Sequence, residues 1–141
     1  MIQFIVGPKG SGKTRRVIEM ANRATTETKG NIVFIDGDHR RMLELKYQVR
    51  FVNVNEFEIE DLNVLYGFLC GIIAGDYDVE QIYIDGILEA LTGDINNIKS
   101  FVDNINKLSD KFNVNFIITL SGSSESLPVF LREYVQDECI A

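Results

Sequence analysis

The chain has 141 residues, 45% hydrophobic and 25% charged, enough for one domain with its own core, too few for two, and too apolar for disorder. Fourteen basic against 21 acidic residues leave a net charge of −7, so most of the surface repels nucleic-acid backbones and anionic membranes, and any phosphate site must be local. Two cysteines, Cys70 and Cys139, make neither a disulfide framework nor a zinc cluster, no basic leader precedes MIQFIV, and the apolar stretch Val64 to Gly75 is too short to span a bilayer. The expectation is one cytoplasmic domain over residues 1–141, with no membrane partner and no general affinity for nucleic acid.

In chain order, Ile2 to Val6 is an apolar run stopped by Gly7-Pro8, the pattern of a buried strand. From Lys13 to about Lys29, Val17, Met20, Ala21 and Ala24 recur at helical spacing, and Gly30-Asn31 ends the helix. Asn31 to Ile35 is a second strand, rich in branched residues and closing on Asp36-Gly37-Asp38. Residues 39 to 46 have room for a helical turn or two, and Gln48 to Val54 is a strand polar enough for a sheet edge.

Glu56, Glu58, Glu60 and Asp61 then load the start of a helix with acid, as the helix dipole favours. Leu62, Leu65, Tyr66, Leu69, Ile72 and Ile73 form its apolar face. Gly67, Gly71 and Gly75 fall four apart on another face; in a membrane such spacing serves helix pairing, and here it predicts close packing on a sheet. Gln81 to Ile84 is the next strand, ending at Asp85-Gly86. Asp94 suits the N-cap of a helix carrying Ile95, Ile98, Phe101, Val102, Ile105 and Leu108. Val114 to Leu120 is a further buried strand, followed by the polar loop SGSSES. Ser126 and Pro128 open a short helix through Val135, and Gln136 to Ala141 are one more strand or a frayed end. Strands separated by helices need crossovers, so the expected class is α/β: a three-layer α/β/α sandwich on a mostly parallel sheet.

Residues 7 to 14 are GPKGSGKT, a complete G-x-x-x-x-G-K-[ST] between a predicted strand and a predicted helix. Gly7, Gly10 and Gly12 let the backbone turn tightly and, with Pro8, Lys9 and Ser11, wrap its N–H groups round a polyphosphate. The helix start adds to that field. Lys13 reaches the β- and γ-phosphates, and the Thr14 hydroxyl completes a Mg²⁺ shell. Lys9 either adds charge or faces water, and Arg15 and Arg16 stand where they flank the base or the α-phosphate.

With these residues the chain resembles the P-loop NTPase superfamily over nearly its whole length. The resemblance implies ATP and Mg²⁺ as ligands, with Asp85, at the end of QIYID, as the acid that holds the metal. Asp36, at the end of NIVFID, is its rival. In the branch with an additional strand (RecA-like and AAA proteins) a glutamate commonly follows that aspartate and polarises the attacking water. Here Gly86 follows, and Glu89 is the nearest acid to replace it, its alternative being a solvated helix residue. Thr119 and Ser121 stand where those proteins place a sensor of the γ-phosphate. Arg132 is either a finger for a neighbouring subunit or a surface arginine. The chain is also similar to short, uncharacterised bacterial ATP-binding proteins with a RecA/AAA-like core, some labelled twitching-motility ATPases. The boxes of pilus-retraction motors are missing, so nucleotide binding alone carries over.

Asp36-Gly37-Asp38-His39-Arg40-Arg41 fits the D-G-D-x-x-R of adenylylsulfate kinases, although no lid segment follows. His39 is then an anion ligand or simply exposed. Three functions remain open: a slow Mg²⁺-dependent ATPase; a nucleotide-gated interaction module, with an unidentified protein partner and negligible turnover; and a small-molecule kinase using Asp36, Asp38 and Arg41. The absence of an N/T-K-x-D motif favours ATP over GTP. Oligomerisation is compatible with all three.

Overall fold

The computed structural model describes residues 1–140. Six strands form one sheet: β1 (Ile2–Gly7), β2 (Asn31–Asp36), β3 (Val49–Asn53), β4 (Val79–Asp85), β5 (Asn115–Ser121) and β6 (Val135–Glu138), in the order β3-β2-β4-β5-β1-β6. Every pairing is parallel. The helices are α1 (Lys13–Glu27), α2 (Leu62–Gly75), α3 (Leu88–Thr92), α4 (Lys99–Phe112) and α5 (Val129–Arg132), with 3₁₀ turns at His39–Glu44, Val54–Glu56 and Ile95–Ile98.

The period of two along each strand sends alternate side chains to two cores. Phe4, Val6, Val33, Ile35, Ile82, Ile84, Phe116 and Ile118 pack with α2, α3 and α4. Ile5, Ile32, Phe34, Tyr83 and Ile117 point the other way, onto Val17, Ile18, Ala21 and Ala24 of α1. Both faces of the sheet are therefore covered, in three layers, as a sheet built of crossovers requires.

Several expectations need correction. The glycines of α2 do not pack on the sheet: Gly67, Gly71 and Gly75 are exposed, and a Cβ at any of them would meet nothing within 4 Å. Turning Leu65, Leu69 and Ile73 inward buries three large side chains, each contributing roughly 1.5–3 kcal/mol, whereas turning the glycines inward buries none. Among the four acids before α2, Asp61 is its N-cap, accepting from the Val64 N–H, while Glu56 lies in a separate 3₁₀ turn. Asp94 caps the 3₁₀ turn Ile95–Ile98 rather than α4 itself, because Asn96 and Asn97 are poor helix formers. The last helix stops at Arg132, and Val135 already belongs to β6, which pairs with β1. The short α3 after Gly86 carried no sequence signal.

Candidate functional site

Parallel strands bring their carboxyl ends to one edge of the sheet, and a cleft of about 820 Å³ opens there between β1, β4, β5 and the start of α1. One wall is the loop from Gly7 to Thr14. Gly10 and Gly12 have φ of +82° and +94°, left-handed backbone that favours glycine. Gly12 is also the N-cap of α1, without a side-chain cap and without acid in the first turn, so the helix-start N–H groups keep their positive field. Gly7 is needed for close approach instead: a Cβ there would lie 2.7 Å from the Cys139 carbonyl oxygen.

Lys13 Nζ donates to the carbonyl oxygens of Gly7 and Pro8, at 2.8 and 3.1 Å. Lys9, Gly10, Gly12 and Arg15 line the same cleft, with Pro8, Lys9 and Arg15 exposed. The Ser11 hydroxyl is buried without a hydrogen-bond partner, an orphaned polar atom inside the loop. Arg16 turns away and pairs with Asp137 of β6 at 2.8 Å.

Across the cleft the Thr14 hydroxyl donates to Asp85 Oδ2 at 2.9 Å, and the Thr119 hydroxyl donates to Oδ1 at 2.8 Å while accepting from the Gly86 N–H at 3.0 Å. Asp85 is 3% exposed, so these two hydroxyls take up carboxylate oxygens that water scarcely reaches. Asp36 lies beside Asp85 in strand register and accepts from the Asp38 N–H at 3.0 Å. Burial, followed by the charge of Asp85, pushes the Asp36 carboxyl from 3.8 up to about 7. Asp85 thus lines the cleft, bonded to Thr14, and Asp36 stands next to it at the end of the neighbouring strand.

Glu89, on α3, lines the cleft and accepts from the Ser121 N–H. Ser121 and Gly122 close the β5 side, where the Gly122 N–H donates to the Gly7 carbonyl at 3.0 Å. The segment from Asp36 to Arg41 is internally engaged: Arg40 clamps Asp38, whose carboxyl is held far below the usual range, and Arg41 pairs with Glu44 at the cleft rim. His39 is exposed. Arg132 is tied to the serine loop, donating to the carbonyls of Ser124 and Glu125.

Sequence reasoning missed three participants: Glu44 at the rim, Asp137 behind Arg16, and Cys139, whose backbone crowds Gly7. The last two depend on β6 lying next to β1, and nothing local in a four-residue strand announces its neighbour. Among the described residues no group of three or more His, Cys, Asp or Glu side chains forms a metal cage. No helix is long and apolar enough to cross a membrane. No family model matches the chain, and no curated protein matches it either.

Proposed function

We propose that this chain is a P-loop protein that binds Mg·ATP in the cleft at Gly7–Thr14 and hydrolyses it slowly. The observation that carries the reading is the meeting of Lys13, Thr14 and Asp85 at the mouth of a loop whose glycines are left-handed where the backbone must curl. The uncapped start of α1, with no acid in its first turn, fits an anion. The position of β5 between β1 and β4 fits the additional-strand branch of the superfamily.

Thr14 and Asp85 are the residues that would hold magnesium, with phosphate and water oxygens as its other ligands, the arrangement this cation prefers over an all-protein cage. When bound, the metal neutralises charge on the phosphoryl oxygens. Lys13 exchanges the Gly7 and Pro8 carbonyls for phosphate oxygens, and Thr119 keeps Asp85 oriented. Glu89 is the one acid on α3 facing the cleft and serves to orient the attacking water, once the Ser121 N–H releases it. Catalysis in such a site is positioning and charge stabilisation. With no glutamate directly after Asp85 and no arginine free in the cleft beyond Arg15, basal turnover is expected to be weak.

Isothermal titration of the chain with Mg·ATP tests the reading. Uptake is expected, with a loss of at least ~100-fold in Lys13→Ala. Unchanged affinity in that variant overturns it, as does the absence of uptake at millimolar nucleotide. ATP is preferred over GTP because the guanine-reading N/T-K-x-D is missing from the sequence.

A second reading, the nucleotide-gated interaction module, draws on one contact. The serine loop hangs on Gly7 through the Gly122 N–H, and Glu138 and Arg132 hold its far side. A change in the phosphate loop would thus reach an exposed surface. Partner capture that differs between ATP-loaded and empty protein, with turnover absent, would favour this module over the ATPase.

A further inference from the structure

The flank opposite β6 carries features that the nucleotide site does not use. β3 ends the sheet, so one row of its backbone N–H and C=O groups has no strand to pair with. A groove of about 620 Å³ runs beside it, lined by Arg50 and Val52 of β3 and by Phe57, Phe68, Gly71 and Ile72. Helix α2, which forms the far wall, contains no charged residue in a chain with 35 of them. Its outer face is Val64, Gly67, Gly71, Ala74 and Gly75, all exposed. Tyr47 and Phe57, 93% and 47% exposed, stand at the ends of the edge. No second strand pairs with this edge, and an unpaired edge is a pairing surface.

Charge along the edge selects the occupant. Lys46 and Arg50 lie at its amino end; Glu56, Glu58 and Glu60 follow its carboxyl end. All five are exposed, and none belongs to an ion pair among the described residues. A surface that is basic at one end and acidic at the other complements itself when turned through a two-fold axis, because basic end then meets acidic end twice.

We infer that β3 and the glycine face of α2 form the interface of a two-fold dimer of this chain. The two β3 strands pair antiparallel, extending the sheet across both copies, and the two α2 helices approach over the glycines. Helix axes come closest where the facing side chains are smallest, so Gly67 and Gly71 set the distance at which edge pairing and helix contact are satisfied together. No residue lining the groove beside β3 also lines the cleft at Gly7–Thr14, and the inference stands whether or not nucleotide binds.

Sedimentation velocity on the full chain, from ~1 to ~100 μM, tests it. The wild-type chain is expected to dimerise in that range. Lys46→Glu/Arg50→Glu makes the whole edge acidic and Glu56→Lys/Glu58→Lys makes it basic; each alone is expected to be monomeric, and an equimolar mixture of the two to dimerise. Gly71→Leu, whose Cβ meets nothing within 4 Å in the monomer, is expected to weaken dimerisation at least ~10-fold while leaving the circular dichroism unchanged. A monomeric wild type throughout the range overturns the inference and leaves the groove to an extended segment of another protein. A dimer that survives either charge reversal, a mixture that stays monomeric, or indifference to Gly71→Leu also overturns it.

Discussion

Gly10 and Gly12, between β1 and α1, and Gly67 and Gly71, within α2, all have open space where a side chain would go. The first pair has φ of +82° and +94°; the second has ordinary right-handed helical backbone. In the loop, glycine is present for a dihedral angle that other residues adopt at a cost. In the helix its dihedrals suit alanine better, and what it supplies is the absence of a side chain. The two regions differ in the same sense elsewhere. The loop and the ends of β2 and β4 carry two buried carboxyls and an orphaned hydroxyl, features that cost stability, whereas α2 carries no buried polar side chain.

The sharpest way to test this contrast is pH. Asp36 is pushed up to about 7 in the fold, so between pH 4 and 7 the folded protein keeps a proton that the unfolded chain has released. Stability therefore falls as pH rises through that window. With about 1.4 kcal/mol per pH unit, the loss is on the order of 2–4 kcal/mol. Urea unfolding of metal-free protein at pH 5 and pH 8 is expected to show it, and Asp36→Asn to flatten it; an equal slope in both proteins would contradict the assignment. Gly7→Val comes next, since its side chain meets the Cys139 backbone, and a destabilisation of about 1–3 kcal/mol is expected by denaturant titration.

Gly12→Ala adds a methyl group where space is open, so it isolates the dihedral requirement. The expected cost is roughly 1–2 kcal/mol, with weakened Mg·ATP uptake by calorimetry. Gly67→Ala reverses the sign: alanine in an exposed helical position should stabilise the monomer by about 0.5–1 kcal/mol, read at protein concentrations below dimerisation. If Gly12→Ala stabilised the chain or Gly67→Ala destabilised it, the distinction between the two kinds of glycine would fail.

What the sequence disclosed follows the same line. Short apolar runs bounded by turn residues placed β1, β2, β4 and β5 to within a residue or two, and helical period placed α1, because both are local patterns. The loop GPKGSGKT was legible for the same reason: its eight positions are contiguous. The resemblance implies that Thr14 and Asp85 share a site, and in the structure the two side chains are hydrogen-bonded. Long-range pairings of short elements left no trace. Val135–Glu138 carries too few residues to reveal that it lies beside β1, so the bracing of Arg16 by Asp137 was invisible. The glycines of α2 misled because spacing records which residues share a face but not whether that face looks inward.

The placement of β1 bears on when the loop takes shape. Its two neighbours, β5 and β6, are the last strands of the chain, and the Cys139 N–H closes on the Val6 carbonyl at 2.7 Å. During synthesis the first fourteen residues leave the ribosome more than a hundred residues ahead of the strands that flank them. Until those arrive, β1 has no ladder to join, because pairing across such separations pays its loop-closure entropy first. The nascent chain thus carries GPKGSGKT long before the strands that brace this loop exist, and the loop takes its shape with the final turn of folding rather than the first.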